Sequence, residues 1–385
     1  YKSNVVSIYE IIGGRFGAVA QMTSSGFFLL SRTVGASLRL YVVALVLDQC
    51  IFSHYDIPFY VSLLVTIFLI WTYTFKGGIK TVVWTDVIQT IFMLGAIIVA
   101  IVVVGNILTD QSSVSLFTLV GNTEYDQVFF KSGSLSFSSM FFTGIFITLT
   151  MTGLDQDMMQ KNLTVGTLKN AQKNMLWLSL SLLMINFLIL FLGALLTIYA
   201  DSINVDLTNW KTELRFSQLA IEFLPLTVGI PFILGTVAAA YSSADSALTS
   251  LTTSFSKDFL EASGKIVSTK MRRLIHLAFS LILFLGIIAA NELIEKDDVI
   301  WSLFKMAGLT YGPLLGVFIL AIFTKLMLNE RIVSIVLIVS FILALLLFLF
   351  SEQLFGVKLG FSISIISTGF TLVGCLLFAR QVSST

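Results

Sequence analysis

The chain has 385 residues, 56% of them hydrophobic and 12% charged, with mean hydropathy +0.94 and net charge +1. These values exclude an ordinary soluble domain and offer no basic excess for a nucleic-acid partner. The apolar runs are of helical length and lack the alternation of barrel strands, so the class is all-α and polytopic, with the lipid bilayer as solvent.

A polar opening stretch, which includes Tyr9-Glu10 and Arg15-Phe16-Gly17, leads into a first apolar span at 18–47. Further spans are expected at 57–75, 81–107, 138–160, 174–200, 226–256, 274–294, 299–324, 332–350 and 357–379, about ten in all. The connections at 108–134 and 201–222 are too short for a separate fold, so residues 1–385 read as one transmembrane domain. With Tyr1 in place of Met and no signal peptide, that domain reads as a fragment, incomplete at its N-terminus.

Charge in the loops sets an orientation. Fifteen Lys and Arg residues fall on one side, Lys80, Lys161, Lys257 and Arg272 among them, against Lys131, Lys211, Arg215, Lys296 and Lys358 on the other. By the positive-inside rule the richer side is cytoplasmic and both chain ends face it. Three bases, Arg32, Arg39 and Lys305, and two acids, Asp86 and Asp245, stand out within the spans. Intramembrane charges of this kind mark ion or substrate pathways, or else pair to close the bundle. The isolated Cys50, Cys375, His54 and His276 supply neither a metal site nor a nucleophile with its base, so an enzyme is not expected.

The segment Tyr241-Ser242-Ser243-Ala244-Asp245-Ser246-Ala247-Leu248-Thr249 puts a carboxylate and several hydroxyls inside an otherwise apolar span. At helical spacing Ser242, Asp245, Ser246 and Thr249 share one face, and converging hard oxygens suit Na⁺ or a proton. Farther on, Lys305 precedes Gly308, Gly312 and Pro313, a pattern that favours a local helix break lining a cavity.

Four stretches carry a resemblance to the sodium/solute symporters, which include sodium/glucose, proline, iodide and sialic acid transporters. They are Gly77-Gly78-Ile79-Lys80-Thr81-Val82-Val83-Trp84-Thr85-Asp86, then Gly153-Leu154-Asp155-Gln156-Asp157-Met158-Met159-Gln160, then Ala238-Ala239-Ala240-Tyr241-Ser242-Ser243, and last Tyr311-Gly312-Pro313-Leu314-Leu315-Gly316. The resemblance implies a leucine-transporter-like fold of inverted repeats with the earliest helices missing, and Na⁺ as the coupling ion. It implies that Ser242 and Ser243, with the carbonyl of Ala239, hold a sodium ion. Asp86, Ser242, Asp245 and Ser246 would hold a second cation, although Asp245 stands where several members have Ser and pairing with an unseen base or with Lys305 is the alternative.

On the substrate side the resemblance points to Lys305 and Arg32, with Thr148 as a further contact. Three bases against two acids within the spans suggest an anionic cargo, a carboxylate or acidic sugar. The sugar-transporting members also carry a Lys in the span that corresponds to 174–199, where this chain has none. The expectation is therefore a multi-pass plasma (cell inner) membrane symporter importing a small anionic solute with Na⁺ and without an obligate protein partner. A symporter of a neutral sugar or other uncharged solute, or a membrane solute sensor on the same fold, is the alternative.

Overall fold

In a chain this apolar the backbone finds its complete set of hydrogen-bond partners only within itself, and every regular element among the described residues is helical. The computed structural model describes residues 5–52, 55–121, 136–293, 299–356 and 359–379, with Tyr1 and Ser3. Lys2, His54, Lys131, Lys296, Lys358 and Arg380 lie outside them, as do the side chains of 69–83, which hold most of the Gly77-Gly78 signature.

In chain order the α-helices are α1 (Tyr9–Phe16), α2 (Ala18–Leu47), α3 (Phe59–Ser112), α4 (Leu116–Gly121), α5 (Phe137–Met151), α6 (Gln156–Leu163) and α7 (Leu168–Ser202). They continue as α8 (Arg215–Gln218), α9 (Leu226–Ser254), α10 (Thr269–Leu293), α11 (Val299–Phe323), α12 (Glu330–Leu349), α13 (Ser351–Phe355) and α14 (Ile363–Leu377). Among the described residues seven segments are long and apolar enough to cross a bilayer, and three shorter apolar helices, Phe59–Phe68, Met140–Met151 and Ile363–Leu377, fall where further spans are expected. α7 shows the solvent it is built for: Leu183, Met184 and Leu190 are more than 70% exposed, which suits lipid and not water.

Two expectations are corrected. The spans at 57–75 and 81–107 run as one 54-residue helix, α3. The Gly77-Gly78 pair costs about 1 kcal/mol per glycine in a helix, but no proline forces a break. Nor does α11 break: it continues through Pro313.

Its glycines serve close packing against α14. A methyl on Gly312 would strike Ser367 and approach the Ser364 carbonyl to 2.8 Å, and one on Gly316 would come within 2.7 Å of Thr371 Cβ. The Thr368 hydroxyl donates across this seam to the Gly312 carbonyl at 2.9 Å. Gly316→Val should therefore lower stability by about 1–3 kcal/mol through overpacking. Gly14→Ala, with nothing within 4 Å of the added carbon, should be close to neutral. Thermal melting of the two purified proteins checks the contrast.

α2 lies at the centre, packed on α1, α9, α10, α11 and α12, and α9 in turn packs along α3. One apolar core gathers Tyr9, Phe28, Leu314, Phe318 and Leu337, and a second gathers Tyr41, Leu248, Leu251 and Leu283. Gly17, at φ +98°, turns the chain between α1 and α2, a conformation that residues with a Cβ rarely adopt.

A buried polar knot ties this end together. Asp258, fully buried in the π-helical turn Phe255–Glu261 after α9, accepts from Ser7 Oγ at 3.0 Å, Gln21 Nε2 at 2.9 Å, Ser25 Oγ at 2.9 Å and Ser254 Oγ at 2.6 Å. Beside it the Gln156 amide accepts from Ile8 N–H and donates to the Val6 carbonyl, both at 2.9 Å.

Candidate functional site

A cavity of about 470 Å³ lies among α2, α3, α6, α9 and α11. α9 brings Ala239, Ser242, Ser243 and Ser246 to its wall because these residues recur at three- and four-residue intervals on one helix face. α2 contributes Arg32 and Arg39, seven residues apart, and α6 with its cap contributes Asp155, Asp157 and Lys161. Asp155 caps α6 by accepting from the Asp157 backbone N–H at 2.8 Å, which fixes both carboxylates at the helix start.

Two charged groups occupy this wall. In the first, Arg32 donates from one guanidinium nitrogen to Asp155 Oδ2 at 3.2 Å and from the other to Asp157 Oδ2 at 2.7 Å, and the Tyr311 hydroxyl reaches Asp155 at 3.4 Å. In the second, Asp86 Oδ1 accepts from Ser242 Oγ at 2.5 Å, while Lys161 Nζ donates to Asp86 Oδ2 at 3.0 Å and to Ser246 Oγ at 2.7 Å. Lys161 also lies 3.8 Å from Asp157 Oδ2, which links the two groups.

The structure thus gathers Ala239, Ser242, Ser243 and Ser246 at one wall. Asp86 does not itself line the cavity and joins this wall through its bonds to Ser242 and Lys161. Asp245 is fully buried and is not part of the cavity lining. Lys305 and Thr148 do not line it either: Thr148 is exposed and its hydroxyl donates back to the Gly144 carbonyl at 2.9 Å.

The count of three intramembrane bases against two acids is corrected as well. Asp155 and Asp157 are buried and neutralise Arg32, and Lys161, assigned from the sequence to an inner loop, reaches into the cavity. The signal for these carboxylates was present in the Gly-Leu-Asp-Gln-Asp run; its partner Arg32 stands 123 residues away. Arg39 differs from Arg32. Exposed within the cavity, it donates to its own Gly35 carbonyl at 3.1 Å, and no carboxylate pairs with it among the described residues.

Ser243 Oγ fits a cation. It is buried, lines the cavity beside Ala239 and Ser242, and has no hydrogen-bond partner among the described residues. A buried hydroxyl without a partner loses its hydration for nothing, whereas its lone pairs suit a hard cation.

The model of the sodium:solute symporter family matches residues 1–331 of this sequence. The chain belongs to the sodium:solute symporter family. Among its curated relatives, the sodium/sialic acid symporter of Aliivibrio fischeri is 26% identical over 337 residues, which cover 84% of this chain and 65% of that protein. The human sodium/iodide cotransporter is 25% identical, covering 84% of this chain and 51% of its own. This symporter-family chain therefore spans between half and two thirds of the length of those relatives.

A solved Na⁺-coupled sialic acid symporter, described in a substrate-bound outward-open state, superposes with TM-score 0.76 at 19% identity, over 99% of this chain and 79% of that one. That likeness carries the fold, the leucine-transporter-like class expected of the family.

Proposed function

We propose that this symporter-family protein couples the inward movement of Na⁺ to the uptake of a small anionic solute, an acidic sugar or carboxylate, across the plasma membrane. The observation that carries the reading is the partnerless buried hydroxyl of Ser243, set beside Ser242 and Ala239 at the edge of a solute-sized cavity. Ser242, Ser243 and the Ala239 carbonyl would hold Na⁺ there, which supplies the driving force when bound.

Arg39, a guanidinium in the cavity without an ion pair among the described residues, favours an anionic cargo over a neutral one. The cargoes for which these relatives are named, sialic acid and iodide, agree with that preference. An uncharged solute is the second reading, favoured by the neutralisation of Arg32 by Asp155 and Asp157.

The test is uptake of labelled sialic acid, a monocarboxylate and a neutral hexose into vesicles holding the full-length protein, with and without an inward Na⁺ gradient. Na⁺-driven uptake confined to the acids is expected. Ser243→Ala should raise the half-saturating Na⁺ concentration by roughly 5- to 150-fold, equivalent to about 1–3 kcal/mol for one lost ligand. A variant with wild-type Na⁺ dependence would refute the assignment of Ser243.

A further inference from the structure

We propose that the second cation position of this protein is filled by its own Lys161 ammonium, so that with Lys161 in place the chain takes one Na⁺ and not two. The proposal rests on the reading of Ser242 and Ser243 as a Na⁺ site.

The geometry at Asp86 carries it. The four residues expected to hold a second cation are Asp86, Ser242, Asp245 and Ser246. Lys161 Nζ sits between two of them, 3.0 Å from Asp86 Oδ2 and 2.7 Å from Ser246 Oγ. A third, Ser242, has its hydroxyl proton committed to the other Asp86 oxygen. The fourth, Asp245, is fully buried. An ammonium has three donors and no acceptor, and Lys161 directs two of them at the oxygens a free cation would need. The Asp157 carboxylate 3.8 Å away adds attraction on the remaining side.

Charge makes the occupants mutually exclusive. Na⁺ placed between Asp86 and Ser246 with Lys161 present would set two positive charges a few ångströms apart, at a site partly withdrawn from water, against one carboxylate that already has a partner. The tethered group also has an advantage that does not depend on the surrounding Na⁺ concentration. Lys161 lies in the last turn of α6, whose start is anchored by the Asp155 cap and by Arg32. Its ammonium is therefore presented at a fixed effective concentration, as a linked ligand is. A neutral side chain at 161 would leave Asp86 with hydroxyl partners and no countercharge, and so open the position to a free cation.

The experiment counts ²²Na⁺ bound at equilibrium to the purified full-length protein, independent of transport. Wild type should retain about one ion per chain, Lys161→Gln about two, and Lys161→Arg about one. Lys161→Gln combined with Asp86→Asn should return the count to about one. Asp86→Asn alone gives a second test that does not require the Lys161 variant to fold: it should still retain about one ion per chain.

Two ions on wild type, no added ion in a folded Lys161→Gln protein, or loss of an ion in Asp86→Asn would each overturn the proposal. Failure of the underlying Na⁺ reading looks different. Wild type would then bind no Na⁺, or its one ion would be insensitive to Ser243→Ala; gain of an ion in Lys161→Gln would still support the Lys161 assignment, and no gain would overturn it.

Discussion

Arg32→Met is expected to destabilise the protein by about 3–5 kcal/mol, the cost of leaving buried carboxylates without their cation. Arg32 bridges Asp155 and Asp157 and is itself only 8% exposed. Removing the guanidinium leaves two negative charges at the head of α6, with the Tyr311 hydroxyl and the more distant Lys161 as incomplete compensation. Thermal unfolding in detergent reads the loss, and adding Asp157→Asn should recover part of it, since the pair is coupled.

Arg39→Gln separates a structural base from a binding one. Arg39 has no carboxylate to strand among the described residues, so stability should change by no more than about 0.5 kcal/mol. Uptake of an acid by that variant should fall at least about tenfold if a charge-assisted bond to the cargo is lost. Equal loss of stability in the two variants, or full acid uptake by Arg39→Gln, would argue against this division of roles.

The second large effect is expected at Asp258. Asp258→Ala removes the acceptor shared by Ser7, Gln21, Ser25 and Ser254, in a place with no water to replace it. Each orphaned donor costs about 1–3 kcal/mol, so a loss of at least ~3 kcal/mol is expected even with hydroxyls rotating to other partners. Because Ser7 and Gln21 flank α1, limited proteolysis should cut the first 20 residues of the variant well before the rest of the chain. Melting within 2 °C of wild type together with an unchanged cleavage pattern would show that the knot is dispensable.

The segments that cross the bilayer were legible because their signal is additive over about twenty residues, and the four motifs named the class. That Ser242, Ser243 and Ser246 would come together with Asp86 was legible too, since polar oxygens in an apolar run need a reason.

The charge partners were not. Asp155 and Asp157 stand at the end of an expected span, where hydropathy alone cannot say whether a carboxylate faces water or folds back on an arginine 123 residues earlier. Lys161 follows one residue beyond that span and so read as a loop charge, although its side chain is long enough to reach Asp86. The glycines of α11 carried a true ambiguity: the lack of a side chain both weakens a helix and lets another approach, and only the position of α14 decides between them. Lys305, singled out as a charge within a span ahead of Gly308, Gly312 and Pro313, does not line the cavity, and neither does Thr148.

The knot at Asp258 also bears on how the protein is made. Gln21 leaves the ribosome 237 residues ahead of the carboxylate it will bond. At 5–20 residues per second, that interval is on the order of 10–50 s. During it Ser7, Gln21 and Ser25 have no acceptor from α9, and the bilayer interior offers none. The opening segment must therefore wait at the aqueous interface or in the insertion machinery, and it seats only when the end of α9 arrives. Assembly of this end of the protein is thus a late event despite its early place in the chain, and interruption of synthesis before residue 258 should leave the first helices accessible from the water.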